Sequence, residues 1–216
     1  MSLQILGGQA AGHTIFLPGR AKFRPTAVLL RRKLFDAHQT WMHESFFDVC
    51  AGSGAMGMEA YSRGAQSFWG EQDTATLKLL AKNLQSLQDK IKKIPTDEED
   101  GRETGINEPV IFNTRQAADF GISKIRPKFP LTIFFDPPYE QLATLLRPFL
   151  TAVQQQKIVW QEIWIESDRQ KGLKDGEILA VAAEIFGTSI ARTKIVTCGT
   201  NFVVKLRANN NNASSL

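Results

Sequence analysis

Short apolar runs of strand length alternate along this chain with longer stretches in which apolar residues recur every three or four positions. Ser45 to Cys50, Ser67 to Glu71, Val110 to Asn113, Leu131 to Asp136 and Trp160 to Glu166 read as strands. Met56 to Arg63, Thr74 to Leu87 and Tyr139 to Gln156 read as helices between them, and an irregular helical piece separates the third and fourth of these strands. This βαβαβ rhythm predicts an α/β fold: a mostly parallel sheet with helices on both faces.

The flanks follow other patterns. Leu3 to Gly8 and Gly12 to Leu17 read as two short strands around a glycine-rich turn, a hairpin too small to be stable alone, so it must dock on something or order on a ligand. Val28 to Ala37 is a helix with Leu29, Leu30, Leu34 and Phe35 on its apolar face, and Pro25 just inside its start. Three strand-like runs lie between Glu177 and Arg207, with a turn at Cys198-Gly199-Thr200-Asn201, and predict an antiparallel finish to the sheet. Gln88 to Pro109 breaks the pattern with proline, glycines and acids and reads as an exposed loop; Asn209 to Leu216 reads as a disordered tail.

Length adds one constraint. The 216 residues suffice for a single large core with a small appendage, so the expected division is an N-terminal segment over 1–26, a main domain over 27–208 and the tail over 209–216. No apolar run approaches the roughly 20 residues that cross a bilayer, and the start lacks a secretory pattern, which predicts a cytoplasmic protein. Cys50 and Cys198 form no disulfide framework and no metal-ligand spacing, so no metal is expected.

Charge is placed unevenly. Met1 to Phe35 contains no acid but holds Arg20, Lys22, Arg24, Arg31, Arg32 and Lys33; Ile185 to the end again lacks acids and carries Arg192, Lys194, Lys205 and Arg207. Two basic ends point to a polyanionic partner, with a solvated basic face as the alternative.

The candidate chemistry lies at two strand ends. Asp48-Val49-Cys50 runs into Ala51-Gly52-Ser53-Gly54-Ala55-Met56-Gly57, in which Gly52, Gly54 and Gly57 have the G-x-G-x-x-G spacing, and Glu71 stands where an acid would grip ribose hydroxyls. A carboxylate at Asp48 would repel a pyrophosphate and attract the ammonium of a methionine moiety, which favours S-adenosylmethionine over a nicotinamide dinucleotide. The alternative is an Asp48 that only caps turn amides.

The second strand end is Asp136-Pro137-Pro138-Tyr139. An exocyclic amino group on a nucleobase is a poor nucleophile because its lone pair is delocalised. The Asp136 carboxylate and Pro137 carbonyl could accept both of its hydrogens, Pro138 stiffens the turn, Tyr139 could stack on the base, and Asp136 could take the released proton. Guanine and adenine amino groups suit this motif equally. Cytosine-carbon methylation is disfavoured, since no cysteine lies in the stretch, and a strand end merely closed by a proline turn is the bland reading.

With these residues the sequence resembles the class I S-adenosylmethionine-dependent methyltransferases and, within them, the 16S ribosomal RNA guanine-N2 methyltransferase family. The resemblance runs through Ile5-Leu6-Gly7-Gly8 with Gly12, Arg24-Pro25-Thr26 with Leu34-Phe35, Asp48 to Gly57 with the following helix, Glu71-Gln72-Asp73 with Lys82-Asn83-Leu84, the DPPY motif and Ile165-Glu166-Ser167. It implies a Rossmann-like seven-stranded sheet with the last strand antiparallel. It places Asp48, Ala51, Gly52, Ser53, Gly54, Gly57, Glu71 and Gln72 on the cofactor, Gln116 and Ala117 against its adenine, and Asp136 to Tyr139 on the target guanine. Arg20, Lys22, Arg24, Thr26 and Arg31 would face 16S rRNA or a small-subunit particle, and the protein would act as a monomer. The chain departs from the family pattern at Ala10-Ala11-Gly12-His13-Thr14 in the hairpin, at Val28 and Leu29, at Gln116, at Tyr139 in place of Phe, and in the long acidic stretch 88–109. A nucleic-acid-binding protein that has lost catalysis is the alternative from another class.

Overall fold

The computed structural model describes residues 2–18, 28–38, 40–93, 108–115 and 117–209. Among the described residues nine strands and five α-helices follow in the order β1 (Ser2–Gln4), β2 (Thr14–Phe16), α1 (Val28–Asp36), β3 (Ser45–Asp48), α2 (Ala55–Ser62), β4 (Gln66–Glu71), α3 (Thr74–Ile91), β5 (Val110–Asn113), β6 (Leu131–Phe135), α4 (Tyr139–Gln155), β7 (Glu162–Asp168), α5 (Asp175–Phe186), β8 (Ile190–Cys198) and β9 (Asn201–Ala208). A short 3₁₀ turn at Ile122–Lys124 is the irregular piece before β6.

Strands β3 to β9 form one seven-stranded sheet in the order β5-β4-β3-β6-β7-β9-β8. β3 pairs in parallel with β4 and β6, and the order reverses across it, so the carboxyl ends of β3 and β6 flank the crevice where α/β sheets of this kind bind ligands. β9 runs antiparallel between β7 and β8. β3, β4 and β6 are buried at every position, as strands covered on both faces are.

The end of the chain corrects one expectation. The first of the three strand-like runs after Glu177 is helix α5, which buries Ile178, Ala182 and Phe186 on one stripe against the sheet. Their spacing of four satisfies a helical face, and its three alanines favour that conformation. The backbone N–H of Lys174 donates to the Glu177 carboxylate at 2.8 Å and closes the first turn.

Helix α1 corrects another. It buries Leu30, Leu34 and Phe35 as the pattern predicts, but Leu29 is 61% exposed and Arg31 is fully buried. Arg31 lies 3.8 Å from Glu59, which also takes two contacts from Arg63 at 2.9 and 2.8 Å. A buried arginine is tolerated here because a buried carboxylate faces it.

The N-terminal hairpin docks on the main domain. Ile5, Ala10 and Ile15 join Ala55, Met58, Tyr61, Trp69 and Leu80 in one apolar cluster. The Leu6 N–H donates to Glu59 at 2.8 Å, Ala10 N–H to Ser62 Oγ at 2.9 Å, and Arg31 donates to the Gln4 carbonyl. Of the predicted loop over 88–109, Gln88 to Ile91 instead continue α3, and its residues 94–107, like Pro25 and residues 210–216 of the predicted tail, lie outside the described residues.

Candidate active site

The glycine loop follows β3 and opens α2, and its shape depends on glycine at two positions. Gly52 and Gly54 have φ of 55° and 87°, in the left-handed region. A Cβ at Gly54 would also meet Leu80 Cδ1 at 2.6 Å and Met58 Cε at 2.7 Å. Gly57 serves packing: a Cβ there would lie 2.2 Å from the Trp69 indole nitrogen, so helix and strand approach this closely only over a bare Cα.

Gly57 does not present its amide to a cofactor, which corrects its assigned role. Its N–H donates to Asp48 Oδ2 at 3.0 Å. Asp48 is 1% exposed, and its other oxygen, Oδ1, has no hydrogen-bond partner. Burial raises the Asp48 carboxyl to about 7, with the Gly57 N–H pulling it down and the charges of Glu71 and Glu166 pushing it further up. Ser53 Oγ is likewise buried and unpartnered, while the Ser53 carbonyl accepts from Asn83 Nδ2 at 3.0 Å.

Glu71 ends β4. Its carboxylate accepts the N–H groups of Gly52 at 3.0 Å, Gln72 at 2.7 Å and Asp73 at 2.8 Å. Three amides occupy three of its roughly four acceptor positions, leaving room for one further donor. Burial raises its pKa against the pull of those amides. Gln72 beside it is exposed, and Ala117, half-buried, closes the turn after β5 by donating to the Thr114 carbonyl at 3.0 Å. Thr114 in turn donates to the Glu71 carbonyl, which brings Ala117 to the same rim.

Asp136 lies at the end of β6. The register pairs Asp48 with Phe134, so Asp136 stands two residues beyond Asp48 on the neighbouring strand, half-buried at the same mouth. Cys50 sits beside it, its thiol pushed well above its ordinary value by burial first and then by Asp136, Asp48 and Glu71. A thiol held protonated is no nucleophile.

Pro137 is buried and Pro138 exposed, and Tyr139 begins α4 at 7% exposure. The Tyr139 hydroxyl donates to Glu166 Oε1 at 3.2 Å and accepts from Asn201 Nδ2. Burial, then Glu166 and Asp136, push its hydroxyl pKa far up. The ring is therefore not the open stacking platform that the sequence suggested; it is an anchor that ties the proline turn to β7 and β9.

Sequence reasoning left Asn83, Glu166 and Asn201 without roles. Asn83 is visible only as a polar residue on the apolar face of α3, where it bonds the glycine loop and both backbone groups of Phe16 in the hairpin, at 2.9 and 3.1 Å. Arg31, grouped with the nucleic-acid contacts, is withdrawn from them because it is buried and engaged by Glu59 and the Gln4 carbonyl. Arg20, Lys22, Arg24, Thr26 and Gln116 lie outside the described residues. Among the described residues no group of three or more His, Cys, Asp or Glu could hold a metal ion, and no helix is long and apolar enough to cross a membrane.

The residues present fit S-adenosylmethionine. The orphaned Asp48 Oδ1 suits a buried ammonium donor, and Glu71 retains one acceptor position at the rim. The strand order, the glycine loop and the DPPY turn at the mouth are those of the class I methyltransferases.

Comparison with known proteins agrees. The chain belongs to the family described as Conserved hypothetical protein 95, whose model matches residues 3–193. It is similar to ribosomal RNA small subunit methyltransferase D of Escherichia coli K12, at 36% identity over 92 residues, which is 40% of this chain and 44% of that relative's length. Solved structures that share the fold include two that cover nearly the whole chain. The yhhF protein of Escherichia coli superposes with a TM-score of 0.65 at 24% identity, covering 96% of this chain and 99% of its own. A hypothetical protein of Thermus thermophilus gives 0.64 at 22%, covering 95% and 99%.

Proposed function

We propose that this protein methylates the exocyclic N2 amino group of a guanine in 16S ribosomal RNA, using S-adenosylmethionine. The observation that carries the reading is the placement of Asp48 and Asp136 at adjacent parallel strand ends, one with an unpartnered buried oxygen and the other at the open mouth. The name of the relative supplies the ribosomal RNA, and the family resemblance supplies guanine.

When bound, the cofactor supplies an electrophilic methyl group on a sulfonium. Asp48 Oδ1 would hold its ammonium, Glu71 would accept from one ribose hydroxyl, and Ala117 would line the adenine side. Asp136 and the Pro137 carbonyl accept the two amino hydrogens of the base, which localises the nitrogen lone pair. As this nitrogen gains the methyl carbon, the carbon–sulfur bond of the sulfonium would break to leave a neutral thioether, and Asp136 would take the proton that the nitrogen sheds. Tyr139, fixed by Glu166 and Asn201, keeps the proline turn in register for both acceptors.

The substrate is 16S rRNA or a small-subunit particle in the cytoplasm, met by a monomer whose 20–26 segment contacts phosphates. Adenine is the second reading, because the same two acceptors serve its amino group. Transfer of radiolabelled methyl from S-adenosylmethionine to unmodified 16S RNA, small-subunit particles and duplex DNA, followed by nucleoside chromatography, tests both. Label in N2-methylguanosine is the expected result. Label in N6-methyladenine promotes the second reading, and no label in any substrate overturns both.

A further inference from the structure

The basic residues near the C-terminus are absorbed by nothing above. On β8 and β9, Arg192 stands directly across from Arg207 and Lys194 directly across from Lys205. Residues two apart on a strand share a face, so Lys205 and Arg207 continue the face on which Val203 packs, and Lys194 and Arg192 continue that of Val196. Where the apolar face under α1 ends, a basic one begins.

Like charges directly opposite one another destabilise a sheet. Only Lys205 has compensation: it lies 3.9 Å from Glu162 and 3.7 Å from the centre of the Trp164 ring. Arg192, Lys194 and Arg207 have no ion pair among the described residues. The two nearby acids are already engaged, Glu162 by the Trp164 indole at 2.6 Å and Glu44 by His38.

These four cations line a cavity of about 310 Å³, together with Thr132 and Glu162. That volume is at the small end of the range for ligand pockets. Thr132 and Glu162 stand at the amino-terminal starts of β6 and β7, whereas Asp136 lies at the opposite end of β6, roughly 13 Å along the strand from Thr132. The cavity is therefore separate from the methyl-transfer mouth.

We propose that this cavity is a second anion site that takes a phosphate group between Arg192, Lys194, Lys205 and Arg207, either of a free phosphorylated compound or of an RNA phosphodiester. A phosphate there accepts from two guanidinium forks and two ammonium groups and removes the repulsion between the facing pairs. The apolar packing of Val196 and Val203 fixes the two strands, so the four charges are held together without the anion.

The test uses the full chain and the double variant R192E/K194E, whose positions are exposed. Binding of inorganic pyrophosphate is measured by calorimetry, and binding of a 20-nucleotide single-stranded RNA by fluorescence anisotropy at two salt concentrations. The variant is expected to bind at least one probe tenfold or more weakly while its melting temperature stays equal or rises, because each reversal turns a repulsive cross-strand pair into an attractive one. Loss confined to pyrophosphate identifies a free phosphorylated compound; loss confined to RNA, with a shallower salt dependence, identifies a nucleic-acid phosphodiester. Equal binding by variant and parent for both probes overturns the site. Neither readout involves methyl transfer, so the outcome stands apart from that of the proposed function.

Discussion

The backbone N–H of Gly57 lies 3.0 Å from Asp48 Oδ2, and this one bond divides the work of the carboxylate. One oxygen holds the start of α2 on β3, and the other is left for a cationic partner. Asp48→Asn keeps an acceptor for Gly57 but removes the charge, so cofactor affinity should fall at least tenfold, read by calorimetry. Unchanged affinity would remove Asp48 from the cofactor site.

The same carboxyl gives a pH signature. Its pKa is raised by burial to about 7, so the folded chain holds a proton there that the unfolded chain releases near the ordinary carboxylate value. Stability is thus fully present below the unfolded value and declines as pH rises through about 7. Cofactor affinity should move the other way, rising through the same window as Asp48 ionises. At pH 8 the unliganded Asp48→Asn variant should be more stable than the parent by roughly 2–4 kcal/mol, with the gap closing by pH 4. Parallel urea titrations at the two pH values decide it.

Asp136→Asn separates chemistry from cofactor binding. Transfer should fall by roughly 10²–10⁴ with cofactor affinity within twofold of the parent, because Asp136 follows β6, on a different strand from the glycine loop after β3. Single-turnover transfer and equilibrium dialysis measure the two quantities. An equal loss in both would show that Asp136 maintains the loop instead.

Asn83→Ala should loosen two segments at once. Asn83 is 2% exposed and bonds Phe16 on both backbone groups and the Ser53 carbonyl. Its truncation leaves these groups without that partner, at a cost of roughly 2–4 kcal/mol. Native-state hydrogen exchange should accelerate at the Phe16 amide, and cofactor affinity should drop with it. Faster exchange at Phe16 with no change in cofactor affinity would mean that hairpin and loop are uncoupled.

Glu59→Ala leaves Arg31 and Arg63 without their shared carboxylate and should destabilise the chain by roughly 3–5 kcal/mol. Glu59→Gln keeps the side-chain volume and one acceptor oxygen, which serves Arg63 or Leu6 but not both, so its loss should be smaller. A shift in urea midpoint that is equal for both variants would assign the effect to the charge, which both remove, and not to packing, which glutamine keeps.

The sheet was legible because short apolar runs, Phe46-Phe47 in β3, Phe68-Trp69 in β4 and Ile133-Phe134-Phe135 in β6, recur between helical stretches, as strands covered on both faces do. Asp48, Glu71 and Asp136 were legible for a related reason: each is a carboxylate at or just beyond the end of such a run. Arg31 was not. Leu29 and Arg31 flank Leu30 on α1, and which of them turns inward is settled by Glu59 on another helix, a fact no local pattern contains. Helix α5 was missed because its isoleucine, leucine and valine also suit a strand, and the β7–β9 pairing that excludes it from the sheet is a long-range event. Tyr139 was read as open because its motif adjoins the mouth, but Asn201, far along the chain, holds its hydroxyl inside.

The docking of the hairpin has a consequence for synthesis. Its partners are Glu59, Ser62 and Asn83, separated from it by 53, 52 and 67 residues. During synthesis the hairpin therefore cannot settle until α2 and the first half of α3 have followed it. It is made before the elements it docks on, and until they arrive its strand edges stay open to whatever chaperone or neighbouring chain waits at the tunnel exit.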